Sequence, residues 1–220
     1  MEGDVACRVR TADHICDVEY CGPRCGPYRS VLRTTMGNLP SSQELEKLTL
    51  RAITAYAVRF ARRASVVLAG AADAEVIAAP LRIASKVASE QVLDRSDDAA
   101  AARSGAAVAG AMGQLTCGEQ AMAALCLVDV AMVVVAVFEA MHSGAKPGWP
   151  EGERARAAKH ASKCAGRAAR AIGGNAESVE ILEAARAEYA ILLKHFGEHQ
   201  GVDLGEPVDL SDEWWEKQPR

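Results

Sequence analysis

Aromatic residues are scarce in this chain: three Phe, four Tyr and three Trp among 220 residues. An all-β domain of this length needs more Thr, Tyr and Phe and regular turn signals, so that class is excluded. The sequence also lacks Gly-x-Gly-x-x-Gly, Gly-x-x-x-x-Gly-Lys-Ser/Thr, His-Glu-x-x-His and Gly-x-Ser-x-Gly. The local signatures of dinucleotide binding, P-loop phosphate binding, zinc peptidases and α/β-hydrolases are therefore missing. Neither sign of charge dominates: 25 basic against 29 acidic residues give a net charge of −4, with no global pull toward nucleic acid. Residues 1–10 are charged and carry no apolar run, so no secretory signal is read there. Seven cysteines, an odd count, fit a reducing cytoplasm better than a disulfide framework.

Alanine is what the chain has in excess. Of its 43 alanines, 41 lie between Ala52 and Ala190. Ala, Val, Leu and Ile with few rings predict closely packed helices. The expected fold is all-α, a bundle of five to six helices over 41–196. An irregular Cys-rich segment precedes it (1–40), and an extended acidic, Trp-containing tail follows it (197–220).

Local signals place the helices. Ser41 and Glu44 after Pro40 form a capping box, predicting a helix from 41 to about Ala69 that stops at Gly70. Along it Leu45, Leu48, Ala52, Tyr56 and Phe60 recur at helical spacing, with Arg51, Arg59, Arg62 and Arg63 on another arc. A second helix is expected over 74–93, with Pro80 in its first turn or at a kink. A third, capped by Ser96, carries Ala102, Ala106 and Gly110 as a stripe for close approach of a neighbour. Further helices are expected over 119–142, 152–172 and 176–196. The loop Gly144–Pro150 separates the first two, and Asn175 is the predicted cap of the last.

From Ala121 to Phe138 the one charge is Asp129. The run is long enough to cross a membrane, yet an Asp at mid-span costs about 2.5–3.5 kcal/mol and no Lys/Arg cluster flanks it. It reads instead as the surrounded helix of a soluble bundle, with no membrane partner. Asp129 then requires a buried partner, most simply an Arg on an adjacent helix.

Four sets of residues are candidates for function. His14, Cys16, Cys21 and Cys25 offer four soft ligands within twelve residues, a set suited to a structural zinc. An iron–sulfur cluster on the same thiols is an alternative, and incidental cysteines in a leader are another, because the spacing matches no standard knuckle. Arg156, Lys159, His160, Lys163, Arg167 and Arg170 fall within an arc of roughly 100° on one helix. That stripe could grip phosphates of a nucleic acid or an acidic protein, or be self-paired, with the acids of the tail as counter-charge. Glu139 with His142 has the spacing of a di-iron helix without a second copy, and His195 with His199 a metal-pair spacing interrupted by Gly197. Finally Trp214 and Trp215 stand among acids in the tail, as an anchor for a partner or for the chain's own bundle.

The run from Leu50 to Arg63, the Ala-rich helices after it and the Gly205–Leu210 segment resemble a diffuse set of alanine-rich helical bacterial proteins. The resemblance implies helices and no activity. With no catalytic motif and two unlike appendages, the expected function is a non-enzymatic interaction or regulatory module that binds another protein. A metal-binding protein built on the N-terminal cysteines is the alternative.

Overall fold

The computed structural model describes residues 39–70, 74–90, 94–112, 115, 118–142, 149–174, 178–197 and 204–218. The four candidate ligands His14, Cys16, Cys21 and Cys25, and His199, lie outside the described residues. Among those described the chain is mostly helical and has no strand. The eight α-helices among the described residues are α1 Ser42–Leu45, α2 Leu50–Ser65, α3 Ala74–Ser89, α4 Arg95–Ala111, α5 Gly118–His142, α6 Trp149–Gly173, α7 Val179–Phe196 and α8 Asp212–Glu216.

The first expected helix is divided. The Ser41–Glu44 capping box is present, but it caps the single turn of α1. Thr49 then starts α2, its hydroxyl accepting from the Ala52 amide at 3.3 Å. The break is possible because distant chain satisfies the freed backbone: Thr49 N–H donates to Phe196 O and Arg51 N–H to Leu204 O. At its far end α2 tightens into a 3₁₀ turn, Val66–Leu68, and Gly70 follows at φ 78°.

Other caps differ from the expected ones by a few residues. Asp94, not Ser96, caps α4 and forms a capping box with Asp97. Ser178, not Asn175, caps α7 through Ile181. The second helix ends at Ser89 with Pro80 inside it, and α6 begins at Trp149, so Pro150 lies in its first turn.

The long helices α2, α5 and α6 pack on one another. To this group α3 and α4 add on one side, and α7 lies against α2 and α6. Tyr56 and Phe60 of α2 and Phe138 of α5 are fully buried; around them alanine dominates the α2 and α6 faces. The small-residue contact falls elsewhere than expected. Ala102, Ala106 and Gly110 are exposed, whereas Ala101, Ser104, Gly105 and Val108 face inward. A Cβ on Gly105 would stand 2.9 Å from Ala131 Cβ, so it is Gly105 that lets α4 approach α5.

One helix among the described residues, α5, is long and apolar enough to cross a membrane, and 67% of its most apolar stretch is buried within the protein. Most of that stretch is covered by its own chain, while Met122, Leu125, Val128, Met132 and Val135 are half-buried.

Glu44 ties α1 to α7. Its carboxylate accepts from the Ser41 amide at 2.8 Å and from Arg186 at 2.6 Å. The Arg186 hydrogen bond first, then that of Ser41, lowers its pKa from 4.5 to about 2. Because the folded-state value is depressed, this contribution to stability is complete above about pH 4.5 and is lost as pH falls toward about 2. Glu44→Gln is expected to flatten that part of the acid limb of a urea-midpoint-versus-pH curve; an unchanged limb would contradict it.

Candidate functional site

The basic stripe of α6 faces α5. Arg167 reaches Asp129 Oδ2 at 2.5 Å and the Leu125 carbonyl at 3.1 Å, while His160 Nδ1 lies 2.9 Å from Asp129 Oδ1. Asp129 is 2% exposed, so the carboxylate inside the apolar helix has the Arg partner it requires. Arg156 donates to Glu139 at 2.6 Å and to Glu153 at 3.1 Å. Burial, and next the neighbouring Glu153, raise the Glu139 pKa while Arg156 opposes the shift. Lys163 and Arg170 are half-buried and Lys159 is exposed. The carboxylates that meet Arg156, His160 and Arg167 are thus Asp129 and Glu139 of α5, with Glu153 of α6, because this part of the stripe turns into the helix seam.

The tail returns to the helices. Val208 N–H donates to Ala88 O at 2.9 Å, and Arg62 to Leu210 O at 3.3 Å. Ser211 caps α8, which places Trp215 at 4% exposure with its indole N–H on Asp209 O at 3.0 Å. The Arg59 guanidinium lies 4.3 Å from the Trp215 ring centre, a cation–π contact. Trp214 is half-buried beside His195 and Phe196, and His195 Nε2 is 3.0 Å from Gln218 Oε1. His142 bonds the Phe138 carbonyl in its own helix. Among the described residues no group of three or more His, Cys, Asp or Glu could hold a metal.

Docking of α8 creates a groove of about 480 Å³ between α7 and α8, with α2 at its base. Ile181, Ala184, Ala187 and Ile191 supply an apolar floor at helical spacing, and Trp215 forms a wall. At the base Glu188 is 5% exposed. Its Oε1 meets Arg59 Nε at 3.0 Å and also pairs with Arg63. Its Oε2 finds no hydrogen-bond partner among the described residues, and neither does the hydroxyl of the fully buried Tyr56. Glu180, Glu183, Asp212 and Glu216 stand on the lip, so five carboxylates face two guanidiniums.

Of the residues expected from sequence, Trp215 belongs to this groove and the α6 stripe does not. Glu188, Arg59 and Arg63 were not expected as a group. They come from helices 125 positions apart, and each separately resembles an ordinary surface charge. Comparison with protein-family models, curated proteins and solved structures finds no match.

Proposed function

We propose that the chain is a non-enzymatic interaction module of the cytoplasm, a helical bundle whose docked tail completes a receiving groove for a segment of another protein. The observation that carries this reading is the α7–α8 groove, with an apolar floor, an aromatic wall and exposed carboxylates along its lip. A half-open trough of that kind suits a side-chain-bearing peptide better than a small metabolite, which is normally more enclosed. Its excess of carboxylates favours a basic amphipathic segment. Apolar residues would lie on Ile181 and Ile191, and a Lys or Arg would meet the exposed carboxylates of Glu180, Glu183 or Glu216 on the lip.

A short Lys/Leu amphipathic peptide, titrated calorimetrically against the purified chain, is the direct probe, with a Glu/Leu peptide as control. Binding by the Lys/Leu peptide alone is expected. Ala187→Arg, which fills the floor with a cation and leaves the Glu188 ion pairs untouched, is expected to weaken it by at least about tenfold. Equal binding of both peptides, or indifference to Ala187→Arg, would overturn the reading.

A further inference from the structure

A second feature lies in the α5–α6 seam, where two helices bring one cysteine each to the same point. Cys126 and Cys164 are both fully buried, and their sulfurs are 2.7 Å apart. As thiols each has a backbone acceptor: Cys126 S–H can donate to Cys164 O at 3.2 Å, and Cys164 S–H to Ala57 O at 3.4 Å. A cysteine that merely fills space needs only apolar neighbours. Here the sulfurs touch across two helices that pack along their length. Two sulfurs at 2.7 Å have already made most of the approach to a bonded S–S of about 2.05 Å, which rigid helices cannot make on demand.

We propose that Cys126 and Cys164 are a modification site, converted by peroxide into a disulfide that clamps α5 to α6. One thiol, as thiolate, attacks a peroxide oxygen, breaking the O–O bond to leave a sulfenic acid and a hydroxide that takes up a proton. The second sulfur then attacks the first, the S–S bond forms, and the sulfenic oxygen leaves as water with the second thiol's proton. In sum two thiols and one peroxide give one disulfide and two waters: the sulfurs lose two electrons and the peroxide gains them.

The surroundings set the pace of this reaction. Burial above all, then Cys126 and Asp129, push the Cys164 thiol up, and Arg167 opposes them. The thiolate is therefore rare while the seam is closed. Arg167 is the way in: its side chain is 26% exposed, and it holds both the Leu125 carbonyl beside Cys126 and the Asp129 carboxylate. When that contact opens, water and peroxide reach the pair. Oxidation is accordingly slow in the folded protein and selective for this pairing, since the two sulfurs already touch.

The test treats the full chain with hydrogen peroxide and maps a non-reduced digest by mass spectrometry. The expected product joins the peptides of Cys126 and Cys164. A cross-link between positions 38 apart is expected to raise the Tm by about 10 °C over the reduced chain. Cys164→Ala, a small change at a buried position among alanines, should show neither the linked peptide nor the rise. Free Cys126 and Cys164 after treatment, joining of either to Cys117 or to an N-terminal cysteine, or a rise that persists in Cys164→Ala would overturn the proposal.

Discussion

Arg51→Met is expected to lower the free energy of unfolding by about 3–4 kcal/mol, the cost of unmaking several charge-assisted hydrogen bonds in a part-buried site. Arg51 is 5% exposed near the start of α2. Its guanidinium donates to three carbonyls: Val87 O at 3.4 Å, Glu90 O at 2.5 Å and Gly205 O at 2.6 Å. Two of these belong to the last turn of α3 and the residue after it, where a helix leaves carbonyls without internal donors. The third belongs to the returning chain, so one side chain joins α2, the end of α3 and the segment that leads to α8. Methionine keeps most of the apolar stem and removes every donor. Glu90 is exposed, so water recovers part of the loss, which keeps the estimate below the sum of three such bonds. Arg51→Lys should restore only a minor part, because a single ammonium cannot fork to three acceptors. Urea unfolding with an unchanged m-value checks this; a loss below about 1 kcal/mol would show that water substitutes freely for the guanidinium.

Arg51 also shows where reading the sequence stopped. It sits in an arc with Arg59, Arg62 and Arg63, and a helical wheel places all four on a polar face. In the fold much of that face is covered by α3, α7 and the returning tail, so Arg51 binds carbonyls and Arg59 and Arg63 meet at Glu188, while Arg62 stays exposed. The patterns that depend on a few neighbouring residues were legible: the Ser41–Glu44 box, the stop at Gly70, the apolar length of α5 and the need of Asp129 for an Arg. What was not legible depends on which distant strand of chain arrives. Thr49 starts a new helix because residues 196 and 204 take the backbone bonds there. Gly105, rather than the four-apart stripe of Ala102, Ala106 and Gly110, meets α5 because packing against α5 sets how α4 is rotated about its own axis. The contact of Cys126 with Cys164 and the groove under Trp215 have no local spacing to announce them. Alanine bias, which made the helices easy to find, also made their faces hard to tell apart, since a face of methyl groups carries little contrast.

The Asp129–Arg167 pair gives an unequal pair of single-mutant effects, and the inequality follows from burial. Asp129 has 3% of its side chain exposed and Arg167 26%. Arg167→Met strands a carboxylate inside α5 with His160 as its remaining neighbour, and a buried charge deprived of its main partner costs about 3–5 kcal/mol. Asp129→Leu instead frees a guanidinium that already touches solvent and can turn outward while leucine fills the vacated space, so a loss of about 1–2 kcal/mol is expected. Coupling then makes a stronger claim than either number. Once Asp129 is leucine there is no charge left to strand, and Arg167→Met adds an apolar side chain to an apolar seam. The double variant is therefore expected to be more stable than Arg167→Met alone, by about 2 kcal/mol in a double-mutant cycle followed by urea unfolding. Strictly additive losses would mean that Asp129 and Arg167 act independently. The carboxylate would then be held by His160 and the helix backbone, and only Arg156 with Glu139 would tie the α6 stripe to α5 by charge.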